Sequence, residues 1–186
     1  MVKKNACIFI SGNGTNLRSI ILKSREYNFP ANVRLVVSNR EKALGLNYAK
    51  KWSIPIFILR KNPISEIILL KALKEKKIDI IILAGYMKIL SKKFIRAFDK
   101  LIINIHPSLL PKYRGLDTFA RVLKANEKKT GCTVHYVNEK LDEGKIILRK
   151  FFFIKKKDTI NSLKTKTHNL EYRAYSEAIY KTLSGL

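Results

Sequence analysis

Five short apolar runs, separated by segments with helical spacing, constrain the fold of this chain more than any other feature. Leu17, Ile20 and Ile21 are spaced as one face of a first helix, and a second helical segment over residues 64–73 ends in the basic run 74–77. Strands that alternate with helices form parallel sheets joined by right-handed crossovers. The sequence therefore predicts a mostly parallel sheet whose first strands are residues 6–10, 34–38, 55–59, 79–84 and 101–105.

The pattern changes after Cys132. Residues 133–137 alternate between apolar and polar side chains, residues 138–144 are polar, and residues 145–154 are strongly apolar. We interpret these segments as two adjacent strands joined by a loop, which extend the sheet in the antiparallel sense. Residues 158–183 predict a long, well-capped terminal helix whose packing stripe is Ile160, Leu163, Leu170, Ala174, Ile179 and Leu183. The predicted class is α/β, a mostly parallel twisted sheet flanked by helices.

Length and composition predict one domain. With 186 residues, of which 46% are hydrophobic, the chain can bury one substantial core. No apolar segment is long enough to span a bilayer, and the run 6–10 is too short for a signal peptide, so we expect a cytoplasmic protein. Cys7 and Cys132 lack the spacing and the nearby histidine pair of a metal site, so we expect two buried free thiols and no metal.

The chain is strongly basic, with 38 Lys and Arg residues against 14 Asp and Glu residues and a formal net charge of +24. Such a charge raises the question of a nucleic-acid partner. Lys, Ile, Asn, Phe and Tyr all have A/T-rich codons, however, and their abundance can follow from genomic base composition. The lysine runs 74–77 and 155–157 are scattered rather than clustered, so we do not expect a dedicated nucleic-acid surface.

The segment 103–111 places an amide and an imidazole two residues apart where an apolar strand ends. Side chains alternate across a strand, so Asn104 and His106 point to the same side of the predicted sheet. Pro107 cannot continue a central strand, which puts the segment at the rim of the sheet, where open α/β folds bind ligands. We therefore expect an oxyanion donor and a proton shuttle to lie together. A nearby carboxylate, for which Asp142 is the candidate, would raise the pKa of His106 and fix its tautomer.

The glycine-containing loop 11–16 follows the first predicted strand and opens the first helix. Backbone N–H groups at such a helix start, together with the helix dipole, can hold an anion such as phosphate. The loop is neither the GxGxxG of dinucleotide-binding proteins nor a lysine-bearing P-loop, so both of those interpretations lack their diagnostic residues. A tight turn without a ligand is the alternative interpretation.

Several motifs in series resemble one family. SGNGTNL at 11–17, LAGYMKILS at 83–91, NIHPSLLP at 104–111, GCTVHYV at 131–137 and LDEG at 141–144 have the order and approximate spacing of the folate-dependent phosphoribosylglycinamide formyltransferases. The resemblance covers nearly the whole chain and implies the formyltransferase fold, with a Rossmann-like N-terminal half. It further implies a phosphate-binding half over residues 1–100, a folate-binding and catalytic half over residues 101–186, and a catalytic trio of Asn104, His106 and Asp142.

The same resemblance implies which residues bind the two substrates, 10-formyltetrahydrofolate and 5'-phosphoribosylglycinamide. The residues matched to the phosphate and glycinamide site are Gly14, Thr15, Asn16, Leu17, His168 and Glu171. Those matched to the folate site are Met87, Lys88, Ile89, Leu90, Asn138, Glu139, Lys140 and Leu141. Further candidates without an assigned role are Arg60, Ser108 and His135. The implied reaction is direct formyl transfer, with His106 as general acid and Asn104 as oxyanion donor, and without a metal or a covalent enzyme intermediate.

Some features depart from the family pattern. The segment between Leu59 and Leu83 is shorter than expected and has no clear counterpart of a substrate-contacting arginine. Glu143 replaces the small residue usual after the catalytic aspartate. Asp117 and Phe119 occupy positions where histidines are expected. These departures leave the trio intact and bear on substrate affinity.

Three other functions stay open at this level. The sequence Tyr113-Arg114-Gly115 is more typical of methionyl-tRNA formyltransferases, whose additional tRNA-binding domain and different first loop argue against that assignment. A formyltetrahydrofolate hydrolase would be expected to carry an N-terminal regulatory domain. A basic RNA-binding module on a degenerate formyltransferase fold is the non-enzyme alternative. The expected partners are the small-molecule substrates, and both a monomer and a homodimer are open.

Overall fold

The computed structural model describes residues 2–184 and contains a seven-stranded sheet with the strand order β3-β2-β1-β4-β5-β6-β7. The strands are β1 (Lys4–Ile10), β2 (Ala31–Ser38), β3 (Ile56–Ile58), β4 (Ile80–Leu83), β5 (Leu101–His106), β6 (Lys129–Tyr136) and β7 (Ile146–Phe153). The helices are α1 (Thr15–Ser24), α2 (Leu46–Lys51), α3 (Pro63–Glu75), α4 (Lys92–Ala97), α5 (Thr118–Lys124) and α6 (Ile160–Leu183).

Strand directions confirm the predicted α/β class. Strands β1 to β5 are parallel, and β6 and β7 are added antiparallel at one edge. The bounds differ from the prediction by a few residues. Strand β2 begins at Ala31 rather than Arg34, because Ala31 and Val33 bury their side chains and alternate with exposed residues.

Each face of the sheet carries a hydrophobic cluster. The side chains of β1 alternate between the two: Ile8 and Ile10 pack with residues of α1 and α6, whereas Cys7 and Phe9 pack with residues of α3 and α4. Cys7 and Cys132 are fully buried free thiols, as expected, and burial raises the pKa of both.

Helix α3 is confirmed, but it buries only part of its apolar surface. Leu69 and Leu73 are buried, whereas Ile64, Ile67 and Ile68 are more than half exposed. Leu69 and Leu73 are one helical repeat apart, so a single stripe of this helix faces the sheet.

The terminal helix α6 is confirmed with a correction at its start. Thr159 Oγ1 accepts a hydrogen bond from Ser162 N–H at 3.2 Å, and Ser162 Oγ accepts one from Thr159 N–H at 2.9 Å, which forms a capping box. Ile160 is 48% exposed, so its predicted place in the packing stripe was wrong, because the buried face begins one turn later. Tyr175 is buried and donates a hydrogen bond to the Leu83 carbonyl at 2.7 Å, which fastens α6 to the sheet. The other predicted stripe residues are buried or packed against the core: Leu163, Leu170, Ala174, Ile179 and Leu183.

Loops at the carboxyl ends of three parallel strands are joined to one another. Ser11, directly after β1, accepts a hydrogen bond from Met87 N–H at 2.8 Å and donates one to Asn39 Oδ1 at 2.6 Å. Asn39 follows β2 and Met87 follows β4, so these contacts assemble one edge of the sheet. This is the edge where open α/β sheets bind ligands. Within residues 2–184, no helix is both long and apolar enough to cross a membrane.

Candidate active site

Strands β5 and β6 place three polar side chains next to one another. Asn104 and His106 lie on β5, and His135 lies opposite Asn104 on the antiparallel strand β6. His135 Nδ1 is 2.8 Å from the Tyr136 carbonyl oxygen. Because a carbonyl oxygen can only accept, this nitrogen carries the hydrogen and donates a hydrogen bond. His135 Nε2 then accepts a hydrogen bond from Asn104 Nδ2 at 3.2 Å. The Asn104 amide has a second hydrogen that it can donate to a substrate.

Asp142 reaches the same group from the loop between β6 and β7. Its Oδ2 lies 3.3 Å from His106 Nδ1 and accepts a hydrogen bond from Gly115 N–H at 3.0 Å. Its Oδ1 lies 3.6 Å from His135 Nε2. Asp142 has a left-handed backbone with φ 53°, a conformation that aspartate tolerates better than most residues. The structure thus brings Asn104, His106 and Asp142 together, and we call these three residues the trio.

His106 faces an acceptor at each ring nitrogen. Its Nε2 donates to the Tyr113 carbonyl oxygen at 2.7 Å, and its Nδ1 faces Asp142. Burial lowers the pKa of His106 below its ordinary value, although the Tyr113 carbonyl and the Asp142 charge act in the opposite direction. Asp142 thus raises the pKa of His106, but desolvation outweighs this contribution and the net shift in the free protein is downward.

Asp142 is held in its charged form. Burial alone would raise the pKa of this carboxyl, but the hydrogen bond from the Gly115 N–H and the charge of His106 lower the pKa below its ordinary value. A second negative charge that develops beside His106 during a reaction would add to the charge of Asp142. Both would favour a protonated imidazole, which is the form that a general acid needs.

The loop after β1 has the backbone geometry of an anion cradle. Gly14 precedes α1 in a left-handed conformation with φ 69°, and the first backbone hydrogen bond of the helix runs from Arg18 N–H to Gly14 O at 2.9 Å. The amides of residues 15–17 therefore have no acceptor within α1 and can face a ligand. The Leu17 side chain is fully buried in the core, so only the backbone of this predicted binding residue is available.

A buried carboxyl group lies behind this loop. Asn16 Nδ2 donates to Glu171 Oε2 at 2.9 Å, while the buried Asn16 Oδ1 has no hydrogen-bond partner within residues 2–184. Glu171 is 5% exposed, and burial raises its pKa to about 7, with the Asn16 hydrogen bond acting in the opposite direction. His168 lies three residues earlier on α6, on the same side of the helix. An unpartnered amide oxygen beside a carboxyl group suits a ligand that donates hydrogen bonds, such as an amine.

The residues matched to the folate site fall into two segments. Met87 and Ile89 are apolar side chains that are 71% and 72% exposed, whereas the Leu90 side chain is buried in the core. Glu139 is bound by Arg96 of α4 at 2.6 Å, which gives it a structural contact. The other members are exposed or partly exposed: Lys88, Asn138, Lys140 and Leu141.

Several further candidates have structural roles. Ser108 is fully buried, and its Oγ donates to the Lys112 carbonyl at 2.6 Å, which shapes the turn after β5. Arg60 is exposed and lies 3.8 Å from Glu41. Asp117, in place of an expected histidine, is a left-handed residue before α5 with φ 54°. In the part of the chain that the structure describes, no three His, Cys, Asp or Glu side chains are grouped as metal ligands.

A sequence model of the family described as formyl transferase matches residues 4–179 of this chain. The chain belongs to the formyl transferase family. The phosphoribosylglycinamide formyltransferase of Haemophilus influenzae is 42% identical over 177 residues, which cover 92% of this chain and 84% of that relative. The Bacillus subtilis protein of the same name is 35% identical over 188 residues, which cover 98% of this chain and 96% of that relative.

Solved structures agree with this assignment. The crystal structure of the phosphoribosylglycinamide formyltransferase from Brucella melitensis matches with a TM-score of 0.93 and 38% identity, and the match covers 99% of this chain and 97% of that one. The family resemblance, the fold and the enzyme class predicted for this formyl transferase are therefore confirmed.

Sequence reasoning missed the backbone groups that hold the trio of this formyl transferase. The Tyr113 carbonyl contacts His106, and the Gly115 N–H contacts Asp142, but backbone groups have no signature in a residue type. The contact of His135 with the trio could have been predicted from the pairing of the strands. An antiparallel pairing of β5 with β6 places His135 opposite Asn104, once the register is known.

The substitution Gly14→Ala is expected to destabilise this formyl transferase by about 1–2 kcal/mol, the cost of a left-handed backbone at alanine. A Cβ at Gly14 would also lie 2.5 Å from Gly45 Cα, so the two loops would have to separate. Gly12→Ala is the matched control, because a Cβ at Gly12 meets no described atom within 4 Å. Urea unfolding of both variants measures the difference, and equal midpoints would contradict the prediction.

The raised pKa of Glu171 predicts a loss of stability at alkaline pH. Its contribution to stability is fully present below about pH 4.5, the ordinary value, and is lost as the pH rises through about 7. Glu171→Gln mimics the protonated carboxyl, so it should exceed the wild type in free energy of unfolding at pH 8 by on the order of 3 kcal/mol, but not near pH 4.5.

Urea unfolding near pH 4.5 and at pH 8 tests this prediction. Glu177→Gln, which removes a 59% exposed carboxyl from the same helix, controls for the loss of one negative charge. A Glu171→Gln variant whose stability follows the pH dependence of the wild type would show that the carboxyl is not protonated at neutral pH.

Proposed function

We propose that this formyl transferase moves the formyl group of 10-formyltetrahydrofolate to the amine of 5'-phosphoribosylglycinamide, a step of purine synthesis. The observation that carries the proposal is the contact of Asp142 with His106, which lies on the same strand as Asn104 at the carboxyl edge of the sheet. The anion cradle after β1 supports a phosphorylated acceptor. The similarity to phosphoribosylglycinamide formyltransferases supports the particular acceptor and the folate donor.

In the proposed reaction, the unprotonated glycinamide amine attacks the formyl carbon on N10 of the folate. A carbon–nitrogen bond forms, and the carbonyl oxygen becomes an oxyanion. Asn104 donates its second amide hydrogen to this oxygen. Protonated His106 exchanges the contact of its Nε2 with the Tyr113 carbonyl for one with the oxyanion and stabilises the same charge. The bond between carbon and N10 then breaks, and the proton lost by the attacking nitrogen is delivered to N10, so tetrahydrofolate leaves.

Asp142 acts through His106 in this proposal. In the free protein, burial keeps the pKa of His106 low. When the oxyanion forms, its charge and the Asp142 carboxylate together favour the protonated imidazole. The histidine takes the proton that the attacking nitrogen loses, and it gives this proton to N10 when the intermediate collapses.

Substrate binding follows from the same edge of the sheet. The amides of residues 15–17 hold the ribose-bound phosphate at the start of α1. Asn16 Oδ1 and Glu171 accept hydrogen bonds from the glycinamide part. Met87 and Ile89 offer exposed apolar surface to the flat pterin ring, and the loop 138–144 closes the other side.

The alternative acceptor is a formylatable tRNA, which Arg114 suggested. In this structure, Arg114 Nη1 lies 2.6 Å from Glu143 Oε1. A local ion pair therefore accounts for this arginine without a nucleic-acid role. The ribonucleotide is the acceptor that the observations favour.

The direct test follows the formyl carbon. The protein is incubated with 10-formyltetrahydrofolate labelled at the formyl carbon and with the ribonucleotide, and the products are separated by mass spectrometry. We expect the label in the formylated ribonucleotide. Label recovered as formate would indicate hydrolysis and would contradict the proposal.

A further inference from the structure

The loop that carries Asp142, residues 138–144, has little apolar anchorage. All of its residues are exposed except Asp142 and Gly144. A segment without buried apolar side chains opens easily unless polar contacts hold it. Asp142 also has a left-handed φ of 53°, which is sparsely populated by residues other than glycine. The position of the Asp142 carboxylate therefore depends on the contacts that this loop makes with its neighbours.

Two arginine–glutamate pairs fasten the loop, one on each side of Asp142 in the chain. Arg96 of α4 donates to the two carboxylate oxygens of Glu139 at 2.6 and 3.0 Å, a bidentate contact that lowers the pKa of Glu139. Arg114 donates to Glu143 Oε1 at 2.6 Å. Lys140 Nζ lies 3.9 Å from Glu143 Oε2 and adds a weaker contact.

The second pair is coupled most directly to the trio. Glu143 follows Asp142 in the chain, and Arg114 precedes Gly115, whose N–H donates to Asp142 Oδ2 at 3.0 Å. The two dipeptides are thus joined twice, once by the Gly115 N–H to the Asp142 carboxylate and once by the side chains of Arg114 and Glu143. The two residues are also the ones that stood out in the sequence, Glu143 as an unexpected residue and Arg114 as a feature of a different enzyme. Their pairing accounts for both.

We infer that Arg114 and Glu143 are positioning residues that hold the Asp142 carboxylate against His106. Where kcat is the readout, the inference rests on the proposed function. Without the ion pair, a larger fraction of molecules has the loop displaced and the contact of 3.3 Å between Asp142 and His106 lost. Because the trio acts on the reacting atoms, the loss falls on kcat and leaves the KM for the ribonucleotide nearly unchanged.

The strength of the Arg114–Glu143 ion pair depends on the ionic strength. The side chains of Arg114 and Glu143 are 41% and 36% exposed, so dissolved salt screens their attraction. The kcat of the wild type is therefore expected to fall between low and high ionic strength by more than that of a variant that lacks the pair.

Charge reversal and charge exchange test the inference. Arg114→Glu and Glu143→Arg each place two like charges together, and each is expected to lower kcat about fivefold to tenfold. The double variant Arg114→Glu/Glu143→Arg restores the pair with opposite polarity and is expected to return kcat to within about twofold of the wild type. Arg114→Gln and Glu143→Gln form a second series, which removes the attraction without adding repulsion.

The exposed pair Lys23 and Glu26 provides the matched control. Their charged atoms are 2.8 Å apart on side chains that are 47% and 57% exposed. Reversing or exchanging this pair changes the same number of charges and should leave kcat unchanged. The inference is overturned if the single variants at 114 and 143 keep wild-type kcat, or if the double variant is slower than either of them.

The pKa of His106, measured by NMR titration of the histidine ring, gives a readout that does not need turnover. Burial lowers this pKa and the charge of Asp142 raises it, so displacement of the loop should change it in each single variant, and the exchanged double variant should return it to the wild-type value. An unchanged His106 pKa in the single variants would overturn the inference. Absence of formyl transfer in the wild type would instead count against the proposed function, and the titration would still test the positioning role.

Discussion

Asp142→Asn is expected to lower kcat by about 10²–10⁴-fold, the range found when a general acid–base catalyst is lost. Asparagine keeps the size of the side chain and tolerates the left-handed φ of 53°, so the loop can keep its conformation. It removes the negative charge that lies 3.3 Å from His106 Nδ1 and helps to protonate the imidazole. The expected loss of kcat is therefore due to the missing charge and not to misfolding.

Two controls accompany this measurement. The unfolding midpoint of Asp142→Asn should stay close to that of the wild type, and a large drop would point to a structural role instead. NMR titration should show a His106 pKa below the ordinary value in the wild type and lower still in the variant, because the charge of Asp142 raises it. Near-normal kcat for a folded Asp142→Asn protein would refute the catalytic assignment.

His106→Ala is the second substitution with a large expected effect, a loss of about 10²–10⁴-fold in kcat. The variant loses both the donor that stabilises the oxyanion and the group that moves a proton. Because Asp142 acts through His106, the two substitutions should not add. The double variant His106→Ala/Asp142→Asn is expected to be about as slow as His106→Ala alone.

A multiplicative loss in the double variant would contradict this prediction. If the losses multiply, Asp142 contributes to catalysis independently of His106. His135, which contacts both Asp142 and Asn104, would then be the residue through which it acts. His106→Ala also provides the blank for turnover assays, because it leaves the anion cradle intact.

Sequence periodicity was sufficient to predict the sheet and its class. Buried parallel strands are short apolar runs, and each of the five predicted runs overlaps an observed strand. Asn104 and His106 could be paired because a strand alternates its side chains, and both lie where β5 ends. Helix faces were harder to predict. Ile64, Ile67 and Ile68 have the spacing of a buried stripe, but the helix turns Leu69 and Leu73 toward the sheet instead.

The site depends on more than the strands. Whether Asp142 reaches His106 is decided by a loop in which Asp142 itself has a left-handed φ, and such a loop has no periodic signal. The contacts that hold it join residues 27 and 29 positions apart, at Gly115 with Asp142 and at Arg114 with Glu143. The net pKa of His106 likewise follows from its burial, which depends on how the loops after β5 and β6 pack. Residue types alone predicted that Asp142 raises the pKa of His106, but they did not predict that burial lowers it by more.

The acceptor that this formyl transferase uses is the central claim, and one absorbance assay tests it most directly. Formation of tetrahydrofolate from 10-formyltetrahydrofolate is followed with glycinamide ribonucleotide, charged initiator tRNA or water alone as acceptor, and with His106→Ala as the blank. We predict turnover with the ribonucleotide only. Turnover with tRNA or with water alone, or no turnover with any of the three, would contradict the account.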